Sequence, residues 1–501
     1  MPDADPLYSH YKKARNRIRK CEPLSMAAHL IECLHKAHTG GIQVIRTHQP
    51  WHILLALKWT FQEMDGLCHR RPLAEFNDAR RVLHIMHEAD DAVLSSFSHV
   101  TLFLRQKAFQ QFWIYPDPDG SALARQEILF GGLAANHGFA RQFLGLTGVP
   151  ITEYLELTFG LVALVLSEEN RRFVDRDNFR NLEPRMDAEK IDSFLAHLSR
   201  TPAQLRAWLD EPAMRNVAIA DQFGLPSPLN SAPFLRVGDR LHVYYLPQVY
   251  RTLEKAIYRP LRAIDPAEFG RVFGPMFEAY VANVMKDGGV AFTNETELKR
   301  RLPRTGKVVD FLVVEDDCNI LIDAKGVEMS AAGRTATTAR QLYSTVKNSA
   351  MKAVAQGMET LGRIRQAPVG HPWGKLETYL IVVTFESLYL GSSSDVGKTF
   401  DDSLGADLKK QFGQPYPFPL ENVFFLNIQE LEDLLARVRD KKTTILKMLR
   451  VAKEADADPK TRKFDFKLHL VAQGESSERL PFIEAGLDRL QSRCISRLRS
   501  S

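Results

Sequence analysis

The segment Asn319-Ile320-Leu321-Ile322-Asp323-Ala324-Lys325-Gly326 constrains this chain most, because it ends a strand-forming apolar run with two opposite charges. Successive aliphatic residues favour an extended, well-covered backbone. A charged pair at the end of such a strand is costly to desolvate unless it has a use there. Alternation along a strand puts Asp323 and Lys325 on one face and Ile320, Ile322 and Ala324 on the other. A second run, Val308-Val309-Asp310-Phe311-Leu312-Val313-Val314, also sets one carboxylate in an apolar frame. The short acidic connection Glu315-Asp316-Asp317 predicts that the two runs are neighbouring strands, with Asp310 and Asp323 approaching each other. Upstream, Phe273-Gly274-Pro275-Met276-Phe277-Glu278-Ala279-Tyr280 reads as helix and offers a third carboxylate, Glu278.

An acid-x-Lys triplet by itself carries no information in this chain. Glu297-Leu298-Lys299, Asp407-Leu408-Lys409, Asp440-Lys441-Lys442, Asp458-Pro459-Lys460 and Asp465-Phe466-Lys467 read as surface charge. Only Asp323-Ala324-Lys325 closes an apolar strand. Two carboxylates at close range repel, and a bound divalent cation relieves that repulsion. Mg²⁺ prefers oxygen ligands from a few carboxylates, waters and substrate phosphate. Such a metal lowers the pKa of bound water and neutralises charge on a scissile phosphate. Lys325 would orient or help deprotonate the attacking water, or stabilise the developing charge. Three acids and a lysine at a sheet edge therefore point to metal-assisted phosphodiester hydrolysis.

The region from about residue 266 to 430 resembles the PD-(D/E)xK nuclease superfamily, with its restriction-endonuclease-like αβββαβ core. Glu278 matches the helix acid, Asp310 the first strand acid, and Asp323 with Lys325 the terminal pair. One departure is Val309, where the pattern often has proline. The resemblance implies Glu278, Asp310, Asp323 and the Ala324 carbonyl as metal ligands. It implies Mg²⁺ as cofactor, with Mn²⁺ able to substitute, and nucleic acid as substrate. DNA is favoured; RNA, including tRNA, and a non-catalytic nucleic-acid-binding sensor stay open. In this superfamily a following helix often adds a polar residue to the site, which makes Arg340, Gln341, Tyr343 and Lys347 second-tier candidates, with Lys352 and Gln356 further along. The module order resembles nucleases of bacterial antiphage defence, and homodimers are common in the fold.

The fold class expected is multidomain, α and α/β. Residues 1–225 read as a helical domain that senses or targets, with a possible protein trigger. Apolar residues recur at helical spacing in Ala27–Leu34, Trp51–Phe61, Ala79–Met86 and Ile191–Leu198, and Thr201-Pro202 marks a helix start. Residues 226–262 form a connector: a hairpin about Gly238-Asp239, then a helix from Val249 to Tyr258. Residues 263–440 hold a helix, strands at about Val290–Thr293, Val308–Val314 and Ile320–Lys325, a long helix over about Ala336–Gly362, and strands Thr378–Phe385 and Val423–Leu426. Residues 441–501 are basic, with Lys441, Lys442, Lys447, Arg450, Lys453, Arg489, Arg493, Arg497 and Arg499. They read as a phosphate-contacting segment or a solvated, partly mobile tail.

Other chemistries find less support. The five cysteines are scattered without a CxxC pair, which argues against a disulfide framework or cysteine zinc site and fits a reducing compartment. His35/His38 and His84/His87 have helical zinc spacing but lack an HExxH context, so they read as surface or satisfied core residues. Trp51 and Trp59 read as core. No GxxxxGK[ST] loop is present, and Gly391-Ser392-Ser393-Ser394 reads as a loop rather than a nucleophile elbow. A net charge of +5 permits a nucleic-acid partner without requiring one. The start, Met1-Pro2-Asp3-Ala4-Asp5, lacks a secretory pattern, and the most apolar run, Leu157–Leu166, is too short for a bilayer. A cytoplasmic protein with no membrane partner is expected.

Overall fold

Helical spacing becomes helix where the sequence predicts it. In the computed structural model, which describes residues 6–112, 120–168, 170–183, 186–302, 306–366, 373, 377–391, 395, 401–474 and 476–498, the four amphipathic runs lie in helices Pro23–Thr39, Pro50–Gln62, Phe76–Leu94 and Ala188–His197. Met1–Asp5, Ser392–Ser394 and Arg499 lie outside the described residues. Thr201 caps helix Pro202–Leu209: its hydroxyl accepts the Gln204 N–H at 3.2 Å, and Gln204 Oε1 accepts the Thr201 N–H at 2.8 Å. Leu30, Leu34, Ile53, Leu57, Phe61, Val82 and Met86 meet in one core. Each such buried side chain contributes about 1.5–3 kcal/mol. The apolar run Leu157–Leu166 lies in helix Ile151–Leu166, with Leu157 and Leu161 buried and Leu166 exposed. Among the described residues no single helix is long and apolar enough to cross a membrane.

The hairpin at Gly238 forms as predicted, with Gly238 at φ 60° between β3 (Phe234–Val237) and β4 (Arg240–Val243). It is extended by β1 (Phe173–Val174) and β2 (Ser199–Arg200) into a four-stranded sheet of order β1-β4-β3-β2. The predicted helix Val249–Tyr258 is corrected: helix Leu246–Leu253 ends and a new one, Tyr258–Ile264, begins. Pro260 falls in the first turn of the second, where a missing N–H costs nothing.

The second sheet has the order β5-β6-β7-β8-β9, with β5 (Thr293–Asn294), β6 (Phe311–Glu315), β7 (Cys318–Lys325), β8 (Glu377–Thr384) and β9 (Val423–Asn427). The first three are antiparallel neighbours, whereas β7, β8 and β9 run parallel. The strand expected at Val290–Thr293 is a two-residue pairing at Thr293–Asn294, because helix Glu295–Arg301 starts at once, capped by Asn294. The long helix is two, Ala339–Val346 and Lys352–Arg365, joined by a π-helical turn at Lys347–Met351.

The described chain divides into two compact units: Met1–Phe97 with Gln106–Ile264 and Gly486–Ser501, and Ser98–Arg105 with Asp265–Ala485. The first holds the four-stranded sheet, the second the five-stranded one. The mobile-tail reading of the basic segment is overturned, since it contains helices Ile445–Ala457, Phe466–Ala472 and Pro481–Leu498. Several of its cations have partners. Glu315 at the end of β6 accepts the Leu446 N–H at 2.8 Å, Arg450 pairs with Glu377 and Asp317, and Arg493 forks onto Glu127.

Candidate functional site

Sheet register brings the two strand acids together. Phe311 pairs with Ile322 at the end of the β6–β7 ladder, so Asp310 stands one step beyond, opposite Asp323. Asp310 is 8% exposed, and its Oδ2 accepts the Ala324 N–H at 2.7 Å. The backbone leading into it is pinned from helix Lys352–Arg365. Thr360 Oγ1 accepts the Val309 N–H at 3.0 Å, and Gln356 Nε2 donates to the Val308 carbonyl. Asp323 is 0% exposed. Lys325 Nζ forms an ion pair with its Oδ1, while Oδ2 has no hydrogen-bond partner among the described residues.

Close packing positions the third acid. Helix Pro266–Asp287 buries Phe269, Phe273 and Phe277, which stack along its length at ring distances of 5.0 and 5.9 Å. Phe385 meets the last two edge-on. Gly326, just past β7, lets this helix close on the strand end: a Cβ there would lie 2.9 Å from Phe273 Cδ1 and 3.4 Å from Phe277 Cβ. Glu278, next to Phe277, is half-buried and faces the field of Asp323 and Lys325.

The carboxylates strain against one another. Asp310 is pushed up to about 7, first by burial and then by Asp323, with the Ala324 N–H opposing. Asp323 is also raised by burial, against the pull of Lys325. Glu278 is raised by burial, then by Glu295 and Asp323. Without a cation the Asp310–Asp323 pair therefore holds a proton at a pH where ordinary carboxylates have lost theirs. A fully buried carboxylate oxygen with no donor, beside a second acid, fits a divalent cation with oxygen preference. Asp310 and Asp323 would be the residues to hold it. Glu278 acts on Asp310 through its charge.

One residue of the site escaped the sequence reading. Glu295 opens the helix after β5 and acts electrostatically on both Glu278 and Asp323, while its own ion pair with Lys299 measures 2.7 Å. The available signal was the Asn294 cap, which forces a helix start beside the edge strand. Lys352, one of several cations noted on its helix, is the one whose charge reaches Asp323. The second-tier residues are engaged elsewhere. Arg340 is exposed, and Gln341 closes the Thr338 capping box. Tyr343 donates to Asp407 Oδ2 at 2.6 Å, and Lys347 pairs with Asp407 at 2.7 Å. The π-turn at Lys347–Met351 offsets the phase of the two helical stretches, so residues on the second, Lys352, Gln356 and Thr360, face the site.

Of the remaining candidates, His35 is a satisfied core histidine, its Nε2 3.1 Å from the Val243 carbonyl oxygen. Trp59 is buried, with its N–H on Gln222 Oε1 at 2.9 Å. All five cysteines are unpaired. His84 contacts Glu88 at 3.3 Å on the surface, but His87 does not pair with it; it stands with His52 and Asp90.

No protein-family model matches the chain, and no curated protein or solved structure is significantly similar to it.

Proposed function

We propose that the second unit is a Mg²⁺-dependent nuclease of restriction-endonuclease-like architecture that hydrolyses phosphodiester bonds of nucleic acid, with DNA the favoured substrate. The observation that carries this reading is the buried Asp310–Asp323 pair, raised in pKa and lacking a donor at Asp323 Oδ2, with Lys325 on the same strand end. Asp310 and Asp323 would hold the ion, which supplies charge neutralisation at the phosphate and a more acidic water. The chain's own groups do the rest. The Ala324 N–H fixes Asp310, Gln356 and Thr360 fix the backbone before it, and Glu278 and Glu295 add negative charge that favours a cation. Lys325 would orient the attacking water by donating to it or stabilise charge on the phosphate, and Lys352 adds a second cation for the backbone of the substrate. The same reading extends to a role in bacterial antiphage defence, with the first unit sensing or targeting.

The test is cleavage of plasmid DNA, single-stranded DNA and total RNA with Mg²⁺ or Mn²⁺, wild type beside Lys325→Ala and Asp310→Ala. Metal-dependent cutting lost in both variants is expected, and the substrate cut names the class. Cutting that persists in EDTA or in Asp310→Ala refutes the assignment. Nucleic-acid binding retained in EDTA and in Asp323→Asn, with no cleavage in any state, favours a non-catalytic binder instead. For the defence role, cells carrying the wild type should restrict phage better than cells carrying Lys325→Ala; equal plating would end that part.

A further inference from the structure

We infer that the first unit carries a second cation site, built from His52, His87 and Asp90 and selective for a Zn²⁺-class ion. His52 lies on helix Pro50–Gln62, and His87 and Asp90 lie one turn apart on helix Phe76–Leu94. One ligand atom from each falls within 4.8 Å of the others. His52 Nε2 and Asp90 Oδ1 are 3.4 Å apart. Two ligands about 2.0–2.2 Å from a tetrahedral ion stand roughly 3.4 Å apart, so this edge of the polyhedron is already set.

A second observation is independent of that spacing. His52 is 2% exposed, and its Nε2 has no hydrogen-bond partner among the described residues. A buried ring nitrogen left unmet is costly, because it has given up water for nothing in return. It points at Asp90 from too far for a sound hydrogen bond, and an ion between them would satisfy both. His87 is exposed and gives the ion its path in, and the Gln49 carboxamide, 3.2 Å from His87 Nδ1, steadies that ring. Two imidazoles and one carboxylate suit Zn²⁺ or Co²⁺ and disfavour Mg²⁺, which wants oxygen throughout. Three protein ligands leave a fourth position for water. The ion would clasp the two helices of the core described above, apart from the acidic site of the second unit.

One group opposes the ion. Lys107 Nζ donates to Asp90 Oδ1 at 2.9 Å and to Gln110 Oε1 at 3.2 Å. Its ammonium holds part of the place that the cation would take. Removing that charge should tighten metal binding, an effect that a plain His–Asp–Lys network would not produce.

The experiment titrates full-length protein, stripped with EDTA and then freed of it, with Co²⁺ alone, following the visible bands of tetrahedral cobalt, and then displaces Co²⁺ with Zn²⁺. One equivalent is expected to give the bands and to be displaced. His87→Ala, at an exposed position, should keep its circular dichroism and weaken binding by at least about 10–100-fold. Lys107→Met should tighten it, and Asp323→Asn should leave it unchanged. Absence of tetrahedral bands in the wild type, or an undiminished equivalent in His87→Ala, overturns the site. Loss of the equivalent in Asp323→Asn instead would reassign the ion to the acidic pair.

Discussion

Replacing Asp310 with Asn should make the metal-free protein more stable while abolishing the nucleic-acid cleavage proposed for it. In the unfolded chain Asp310 ionises near 3.8, and in the folded one it is raised to about 7. Between these values the folded chain holds a proton that the unfolded chain has released. Wild-type stability therefore falls as pH rises through that window, and the loss is complete above about 7. A shift of roughly three units at about 1.36 kcal/mol each sets a ceiling of about 4 kcal/mol on the penalty. Asn keeps an oxygen to accept the Ala324 N–H, so the variant loses the charge and little else. Urea unfolding without metal should show Asp310→Asn ahead by about 1–4 kcal/mol at pH 8, with the gap closing toward pH 4. Added Mg²⁺ should stabilise the wild type by about 2.7 kcal/mol at 100 times its Kd and the variant far less. A variant that is less stable than wild type at pH 8, or that gains as much from Mg²⁺, would refute the reasoning that a repelling acid pair awaits a cation.

Gly326→Ala puts a Cβ 2.9 Å from the Phe273 ring, so the helix bearing Glu278 must retreat; cleavage should drop with about 1–3 kcal/mol of destabilisation, measured by turnover and melting together. Arg493→Ala strips the guanidinium that forks onto buried Glu127 at 2.6 Å and reaches Glu156 at 3.1 Å; denaturation should show a loss of about 3–5 kcal/mol, partly recovered by adding Glu127→Gln. Glu430 is raised to about 8 by burial and then by Asp465, so stability should fall by about 1.4 kcal/mol per pH unit between 4.5 and about 8. A Glu430→Gln variant with an unchanged pH slope would count against that assignment.

The strand pair was legible because its signal is local. Asp310 and Asp323 each interrupt an apolar run, and a two-residue turn, Asp316-Asp317, fixes their pairing. Glu278 could be placed on a helix but not against the strand, since what brings it close is the missing side chain at Gly326, a packing fact between segments distant in sequence. Glu295 was illegible for the same reason, and Lys352 could be noted but not singled out: each sits on an ordinary charged helix face, and only the fold turns that face toward Asp323. The π-turn at Lys347–Met351 misled the choice among the following cations by shifting their phase. His87 was matched with His84 on its own helix, whereas its ring lies near Asp90 on that helix and His52 on another. Periodicity reports faces of one element; it does not report which faces meet.

The route of the chain has a consequence for biosynthesis. Glu127 and Arg493 are separated by 366 positions, and the whole of Asp265–Ala485 lies between the two parts of the first unit they join. A ribosome therefore releases the buried carboxylates of Glu127 and Glu156 long before the arginines that neutralise them. Until then the first unit must keep those acids hydrated, with its last packing contacts unmade. The unit that starts first finishes last, and by that time the stretch bearing Asp310, Asp323 and Lys325 has already left the ribosome.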